Sequence, residues 1–267
     1  MTLFQLLIVA ITQGVTEFLP ISSSGHLILL PKLTGTQDQG LAIDVAVHVG
    51  TLLAVTLYFW RDVQIAAKGT VRLATGKVDT QGAFLALCLI IATLPAVFFG
   101  LAIKLAGLDE AMRSPALIGW TMLIFGVVLY WADRTGDTAK TADRWSIRDA
   151  GIMGLAQCLA LIPGTSRSGI TITAARRLGY DREGAAKLAM LMSIPVIAAS
   201  GLVLSIDVVQ QANWALLHHA IIAAAFAFLA ALLALVLMMR LLASIRFTPY
   251  VIYRIILGIA LLVWAYA

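Results

Sequence analysis

The chain has 267 residues, of which 61% are hydrophobic and 12% are charged, and its mean hydropathy is +0.94. Soluble proteins carry about 25% charged residues, so this composition excludes a soluble fold and predicts a polytopic membrane protein with one membrane-embedded domain, residues 1–267. The net charge of +5 lies in loops without interleaved aromatic residues, which indicates contact with anionic lipid and argues against a nucleic-acid partner.

Six apolar runs are long enough to cross about 30 Å of hydrocarbon as helices, at about 1.5 Å per residue. These six predicted transmembrane helices cover residues 41–60, 83–106, 115–133, 184–206, 217–240 and 249–267.

Two further apolar runs stop at a proline and resume a few residues later. Residues 3–19 are followed by residues 26–33, and residues 150–162 are followed by residues 169–178. Each pair is predicted to form a re-entrant helical hairpin, which is allowed at membrane depth only where protein or water covers the broken backbone. The predicted fold is therefore an all-α polytopic membrane protein with six transmembrane helices and two re-entrant hairpins.

The basic residues predict the orientation. Most of the nineteen lysines and arginines lie in four connections that should be cytoplasmic: residues 61–77, 134–148, 176–187 and 240–246. Three connections that contain only Arg113 among them should lie outside: residues 34–40, 107–114 and 207–216.

With this orientation the two hairpins enter from opposite faces. The halves, residues 1–133 and 149–267, are then inverted-topology repeats. Inverted repeats built on discontinuous helices place a site near the membrane midplane. Glu17 and Arg167, near the two hairpin tips, should share that site.

Gln13 and Glu17 are four residues apart and therefore lie on one face of a helix. Their side-chain oxygens could bind a hard cation such as Mg²⁺ or Ca²⁺, with water and substrate phosphate completing its shell. The alternative is that Glu17 is only an ion-pair partner of Arg167, because charges inside membranes usually pair.

Three consecutive serines, Ser22, Ser23 and Ser24, precede His26 in the first tip. A serine becomes a nucleophile when a neighbouring base takes its proton, and His26 is the histidine near enough in sequence to do so. The alternative is that the serines cap the next helix. His48 is interpreted as a core histidine, without a chemical role.

Arg167 lies in the second tip between Ser166 and Ser168, with Thr171 one helical turn further on. A guanidinium beside hydroxyls and free amides at a helix start can bind phosphate bidentately and neutralise charge that develops on phosphorus. The alternative role for Arg167 is a structural salt bridge to Glu17.

Two tracts carry a resemblance to a known family. Residues 13–26, QGVTEFLPISSSGH, resemble the [E/Q]xxxE and Ser/Thr-Gly-His tract of the bacterial undecaprenyl-diphosphate phosphatases of the bacitracin-resistance type. Residues 163–171, PGTSRSGIT, are similar to the PGxSRSxxT tract of that family. Gln13 stands where many members carry Glu, so this chain has one negative charge fewer at that position.

The resemblance implies hydrolysis of undecaprenyl diphosphate to undecaprenyl phosphate and inorganic phosphate, which recycles the lipid carrier of cell-wall synthesis and confers bacitracin resistance. It further implies a multi-pass protein of the bacterial inner membrane, an active site open to the periplasm, a metal ion bridging Glu17 and the diphosphate, and a homodimer. Ser23 is assigned as the nucleophile and His26 as its base. A histidine nucleophile and direct attack by water remain alternatives.

Two other functions are considered. A phosphatidic-acid-type phosphatase would need a second histidine soon after the Ser-Arg pair, but the next histidine after Arg167 is His218. A secondary transporter or lipid-carrier flippase stays open, because inverted repeats with broken helices are typical of transporters.

Overall fold

The computed structural model describes residues 2–35, 38–108, 110–209 and 214–267, which form α-helices joined by short connections, with no β-strand within these ranges. The helices are α1 (Leu3–Thr16), α2 (Ser23–Thr34), α3 (Leu41–Tyr58), α4 (Trp60–Ala74), α5 (Gln81–Leu105), α6 (Pro115–Thr135), α7 (Ile147–Cys158), α8 (Arg167–Arg177), α9 (Arg182–Val209), α10 (Trp214–Leu242) and α11 (Thr248–Tyr266).

Six of these helices are long and apolar enough to cross a membrane, namely α3, α5, α6, α9, α10 and α11. They coincide with the six apolar runs of the sequence, which confirms an all-α polytopic fold. Their ends differ from the predicted ends by three residues or fewer. Parts of the three connections predicted to lie outside fall beyond the described residues, so their position stays a prediction.

The helix pairs α1–α2 and α7–α8 coincide with the two predicted hairpins. Both first helices begin at a hydroxyl N-cap: the Thr2 side chain accepts from the backbone N–H of Gln5, and the Ser146 side chain accepts from that of Asp149. A short 3₁₀ turn, Leu159–Leu161, extends α7 towards its tip. The re-entrant path of both hairpins through a membrane stays a prediction.

The hairpins pack on opposite halves of the chain. Helix α1 lies against α10, whereas α7 lies against α5. Close contact is possible because small residues face the partner backbone: a Cβ on Gly14 would lie 2.6 Å from the Ala227 carbonyl oxygen, and one on Gly154 would lie 2.7 Å from that of Ala92. Each hairpin therefore packs on a helix from the other half of the chain, and the two tips contact each other.

Helix α4 was not predicted, because residues 61–77 were interpreted as a basic loop. In the structure Trp60–Ala74 is a helix that packs on α5. Its Gly69 approaches Gly82 so closely that a Cβ on Gly69 would lie 2.0 Å from the Gly82 carbonyl. The basic residues lie on an amphipathic helix, which the charge count alone could not distinguish from a loop.

Candidate active site

The two hairpin tips have the same backbone geometry. Ser22 and Ser166 are the N-cap residues of α2 and α8, with φ angles of 73° and 71°. Each hydroxyl accepts a hydrogen bond from the N–H of a glycine three residues further along, at 3.4 Å and 3.1 Å. A non-glycine residue in this left-handed region costs on the order of 1–3 kcal/mol and is kept only where its surroundings hold it there. Ser23 and Arg167 follow these strained residues at equivalent positions.

Glu17, the C-cap of α1, connects the two tips. Its Oε1 accepts a hydrogen bond from Arg167 Nη2 at 2.8 Å, and its Oε2 accepts from Ser23 Oγ at 2.5 Å and from Gln13 Nε2 at 2.8 Å. The carboxylate is 7% exposed. This confirms that Glu17 and Arg167 share one pocket, and it places the Glu17 carboxylate in hydrogen-bond contact with the Ser23 hydroxyl.

The predicted contact between Ser23 and His26 is not formed. His26 Nδ1 lies 2.7 Å from the Ser22 carbonyl oxygen, and Nε2 lies 2.5 Å from the Tyr253 hydroxyl. A carbonyl can only accept, so Nδ1 carries a proton, and in a neutral ring Nε2 would accept from the tyrosine hydroxyl. Both ring nitrogens are engaged in this structure, and the role of His26 as the base of Ser23 stays a prediction.

The predicted phosphate-binding hydroxyls divide into two groups. Ser22, Ser24 and Ser166 line a cavity at the tips, together with Ser23 and Arg167.

Ser168 and Thr171 do not line this cavity, and both side chains are almost fully buried. Ser168 donates to the Leu19 carbonyl oxygen at 3.0 Å, and Thr171 donates to the Arg167 carbonyl oxygen at 2.8 Å. In this structure Ser168 therefore attaches the second tip to the first and Thr171 bonds within α8, and their predicted contact with phosphate stays a prediction.

The cavity has a volume of about 330 Å³, and both polar and apolar residues line it. Most of the polar residues belong to the hairpin tips. Helices α3, α5 and α9 contribute apolar residues, namely Leu41, Val45, Ala96, Val196, Ile197 and Leu204. Such a cavity suits an amphiphile with an anionic head and a hydrocarbon chain.

His48 also lines this cavity, which corrects its interpretation as a core histidine. Its Nδ1 donates to the Asp44 carbonyl oxygen at 2.7 Å, and its Nε2 lies 4.0 Å from Glu17 Oε2. The side chain is 37% exposed. The four-residue spacing of Asp44 and His48 on one face of α3 is the signal in the sequence that could have identified this pair.

Three polar atoms near Glu17 are buried without a hydrogen-bond partner in the described residues: Gln13 Oε1, Gln157 Oε1 and Arg167 Nη1. Unpaired buried polar atoms are rare and often mark a ligand. Arg167 Nη1 is a donor, as an anion requires, and the two amide oxygens are acceptors, as a cation or a water molecule requires. Gln157, on α7, was not among the predicted site residues.

The residues fit a divalent cation that is held mainly by its substrate. Gln13 Oε1 and the Glu17 carboxylate are hard oxygen ligands on one helix face. Within the described ranges, no cluster of three or more His, Cys, Asp or Glu side chains is suitable for a metal. The protein would therefore supply two ligands to such a cation, and phosphate oxygens and water would have to supply the others.

A larger cavity of about 530 Å³ lies at the opposite ends of α3 and α9, beside Tyr58, Asp62 and Lys187. None of the tip residues lines it, so the chemistry belongs to the smaller cavity.

Known proteins match this chain over nearly its whole length. A family model described as bacitracin resistance protein BacA matches residues 6–260. The chain is 72% identical to the undecaprenyl-diphosphatase of Roseobacter denitrificans and 61% identical to that of Ruegeria pomeroyi, over the full length of both chains in each case. It is 45% identical to the undecaprenyl-diphosphatase of Alteromonas mediterranea, again over both full lengths. The chain therefore belongs to the bacitracin resistance protein BacA family.

Proposed function

We propose that the chain hydrolyses undecaprenyl diphosphate to undecaprenyl phosphate and inorganic phosphate, and that it thereby recycles the lipid carrier of cell-wall synthesis and confers bacitracin resistance. The observation that carries this proposal is the convergence of Ser23 and Arg167, from two different hairpins, on Glu17 at a cavity lined by both polar and apolar residues. The names of the full-length relatives point to the same reaction.

In this proposal Ser23 is the nucleophile and Glu17 is its base. Ser23 Oγ attacks the terminal phosphorus and gives its proton to Glu17, to which it is already hydrogen-bonded. The bond from that phosphorus to the bridging oxygen breaks, and undecaprenyl phosphate leaves. Water then hydrolyses the phosphoserine, releasing inorganic phosphate and restoring the serine.

Arg167 has two successive partners. Before substrate binds, its Nη2 is paired with Glu17 while Nη1 is buried without a partner. An incoming diphosphate can take both nitrogens bidentately. As the guanidinium turns to the phosphate, it leaves Glu17 Oε1 open, while Oε2 keeps the hydrogen bond from Ser23 through which the proton is transferred. The N-termini of α2 and α8, with Ser22, Ser24 and Ser166 beside them, add donors for the phosphate oxygens.

A divalent cation, Mg²⁺ or Ca²⁺, would be held by Glu17 and Gln13 together with the diphosphate. It would neutralise phosphate charge. Because Gln13 is neutral, the protein contributes one negative charge, so the affinity for the metal depends strongly on the substrate.

We further propose that the protein is a homodimer in the bacterial inner membrane and that its active site opens to the periplasm. The cavity is lined by Leu41, at the start of α3, and by Leu204, towards the end of α9. These helix ends join the connections that lack basic residues. The larger cavity lies at the ends that join basic connections.

The test is phosphate release from undecaprenyl diphosphate by the purified full chain in detergent, with Mg²⁺ or Ca²⁺ supplied. We expect multiple turnovers and expect none with the Arg167→Ala variant. If the folded wild-type chain binds the lipid but releases no phosphate, the proposal fails and the transporter or flippase alternative is favoured.

A further inference from the structure

Arg254 is a charged residue in the middle of α11 that the site described above does not use. Its side chain is fully buried, and among the described residues no carboxylate lies within ion-pair distance of its guanidinium. A charge inside an apolar span is costly and persists where it has a function. The lone arginine within residues 249–267 was the sequence signal for this position.

Its guanidinium is bound by backbone carbonyls of both hairpin tips. Nη1 donates to Pro20 at 3.2 Å in the first tip, and Nη2 donates to Gly164 at 3.1 Å and to Thr165 at 2.9 Å in the second. These carbonyls lie one or two residues before the strained serines that cap α2 and α8. One side chain thus bridges the two turns that place Ser23 and Arg167.

The same guanidinium is fixed to α6. Nε donates to the Met122 carbonyl oxygen at 3.3 Å, and Nη2 approaches that of Thr121 at 3.4 Å. The Thr121 hydroxyl in turn donates to the Pro163 carbonyl oxygen at 2.7 Å. The tips are therefore attached both to each other and to two membrane-spanning helices.

The space beside the Arg254 guanidinium is narrow at Gly169 and wider beside the Arg254 stem at Gly126. A Cβ on Gly169 would lie 2.9 Å from Arg254 Nη1, whereas a Cβ on Gly126 would lie 3.4 Å from Arg254 Cβ, an ordinary contact. A lysine ammonium has three donors on a flexible stem and cannot span carbonyls of both tips as the fork does.

We propose that Arg254 is a positioning residue that sets the distance between the two hairpin tips, and so the geometry of Ser23 and Arg167 at Glu17. The catalytic part of this inference rests on the proposed phosphatase function. Arg254 does not line the substrate cavity. Its loss should therefore lower kcat, because a displacement of reacting groups by about 1 Å can cost about 100-fold in rate, while KM changes little.

The test compares Arg254→Met and Arg254→Lys with the wild-type chain, all purified in detergent. We expect kcat to fall about 100-fold in Arg254→Met and about 10-fold in Arg254→Lys, with KM within about threefold of wild type in both. Gly169→Ala should also lower kcat with Arg254 retained, because its methyl group would lie 2.9 Å from Arg254 Nη1 and 3.1 Å from Ser166 Cβ, and so would displace the contact between Arg254 and the second tip. The matched control, Gly126→Ala, should stay within about twofold of wild type.

Amide hydrogen exchange of the same proteins, without substrate, measures directly whether Arg254 holds the two hairpin tips in place. We expect faster exchange at both tips, residues 20–25 and 163–169, in Arg254→Met, and no change at either tip in Gly126→Ala. If Arg254→Met unfolds, Gly169→Ala and Arg254→Lys provide the comparison.

Two outcomes would overturn the inference: a folded Arg254→Met with kcat near that of wild type, or faster exchange at one tip alone. A wild-type protein without phosphatase activity would instead refute the proposed function, and the exchange experiment would still decide whether Arg254 clamps the tips.

Discussion

At the scale of single residues, the site is organised around one carboxylate. Glu17 accepts from Ser23, Gln13 and Arg167, and His48 lies 4.0 Å away. Buried carboxylates are retained when they are paired and hydrogen-bonded. In the proposed mechanism these partners are also the groups that act in phosphoryl transfer. A bound substrate and its cation could then replace Arg167 beside Glu17 without leaving the buried carboxylate unpaired.

Replacement of Arg167 by lysine tests the bidentate contact. Lysine keeps the charge but loses the planar fork, so we expect kcat to fall about 10-fold or more while the protein still folds. The measurement is steady-state phosphate release, with Arg177→Lys, on the same helix but outside the cavity, as a matched control. Equal rates for Arg167→Lys and wild type would show that a point charge suffices.

Ser23→Ala and His26→Phe separate the nucleophile from its neighbour. Because Ser23 is bonded to Glu17 whereas both His26 nitrogens are engaged elsewhere, we expect Ser23→Ala to be almost inactive and His26→Phe to keep a substantial rate. Acid quenching of the wild-type reaction should trap phosphate on Ser23. An active Ser23→Ala beside an inactive His26→Phe would assign the nucleophile to histidine.

Removal of metal tests the pair Gln13 and Glu17. Excess chelator should abolish phosphate release, and Gln13→Glu should lower the Mg²⁺ concentration that gives half-maximal rate, because it adds a charged ligand. Gln13→Leu should raise that concentration. Full activity of the wild type in chelator would leave Glu17 as a base and ion-pair partner without a metal.

The sequence predicts which residues meet but not how their side chains turn. Polar residues beside a helix break, found in both tips, were enough to predict that Glu17 and Arg167 share one site. His26 is three residues from Ser23 in one helix, so a contact was reasonable, but the ring instead turns to the Ser22 carbonyl and to Tyr253 on α11. Tyr253 is distant in sequence, and nothing local indicates it.

At the scale of elements, the same limit explains helix α4. Its basic residues predicted a loop, whereas its backbone contact with α5 depends on Gly69 and Gly82 meeting. Glycine at an apolar helix face predicts close packing only once the partner helix is known.

Gly69→Ala should therefore be destabilising. A methyl group at this position would meet the Gly82 backbone at 2.0 Å, and overpacking of this kind costs roughly 1–3 kcal/mol. The expected result is a lower Tm in thermal unfolding monitored in detergent. Gly151→Ala is the matched control, because its Cβ would meet Ile91 at 4.0 Å and alanine favours a helix by up to about 1 kcal/mol. Equal Tm values for Gly69→Ala and Gly151→Ala would mean that α4 can shift freely on α5.

At the scale of the whole molecule, the predicted repeat would explain why one site needs both halves. Ser22 and Ser166 adopt the same backbone conformation and cap helices at the two tips, and each hairpin packs on a helix of the other half. The residue that follows the capping serine is Ser23 in one tip and Arg167 in the other. The tracts predict the repeat, but the exchange of packing partners between halves is a long-range contact that no local pattern specifies.

The orientation in the membrane is the last prediction. Basic connections should be cytoplasmic, so a cysteine at Gln39, in the connection between α2 and α3, should react with an impermeant thiol reagent in intact cells. A cysteine at Thr141, in the connection between α6 and α7, should react only after the membrane is opened. The background is Cys88→Ala with Cys158→Ser, because both native thiols are free, and it must keep phosphatase activity. The expected pattern places the cavity beside Leu41 and Ser23 at the periplasmic face, where the lipid diphosphate would enter. The reversed pattern would place the cavity in the cytoplasm and refute both the orientation and periplasmic access to the site.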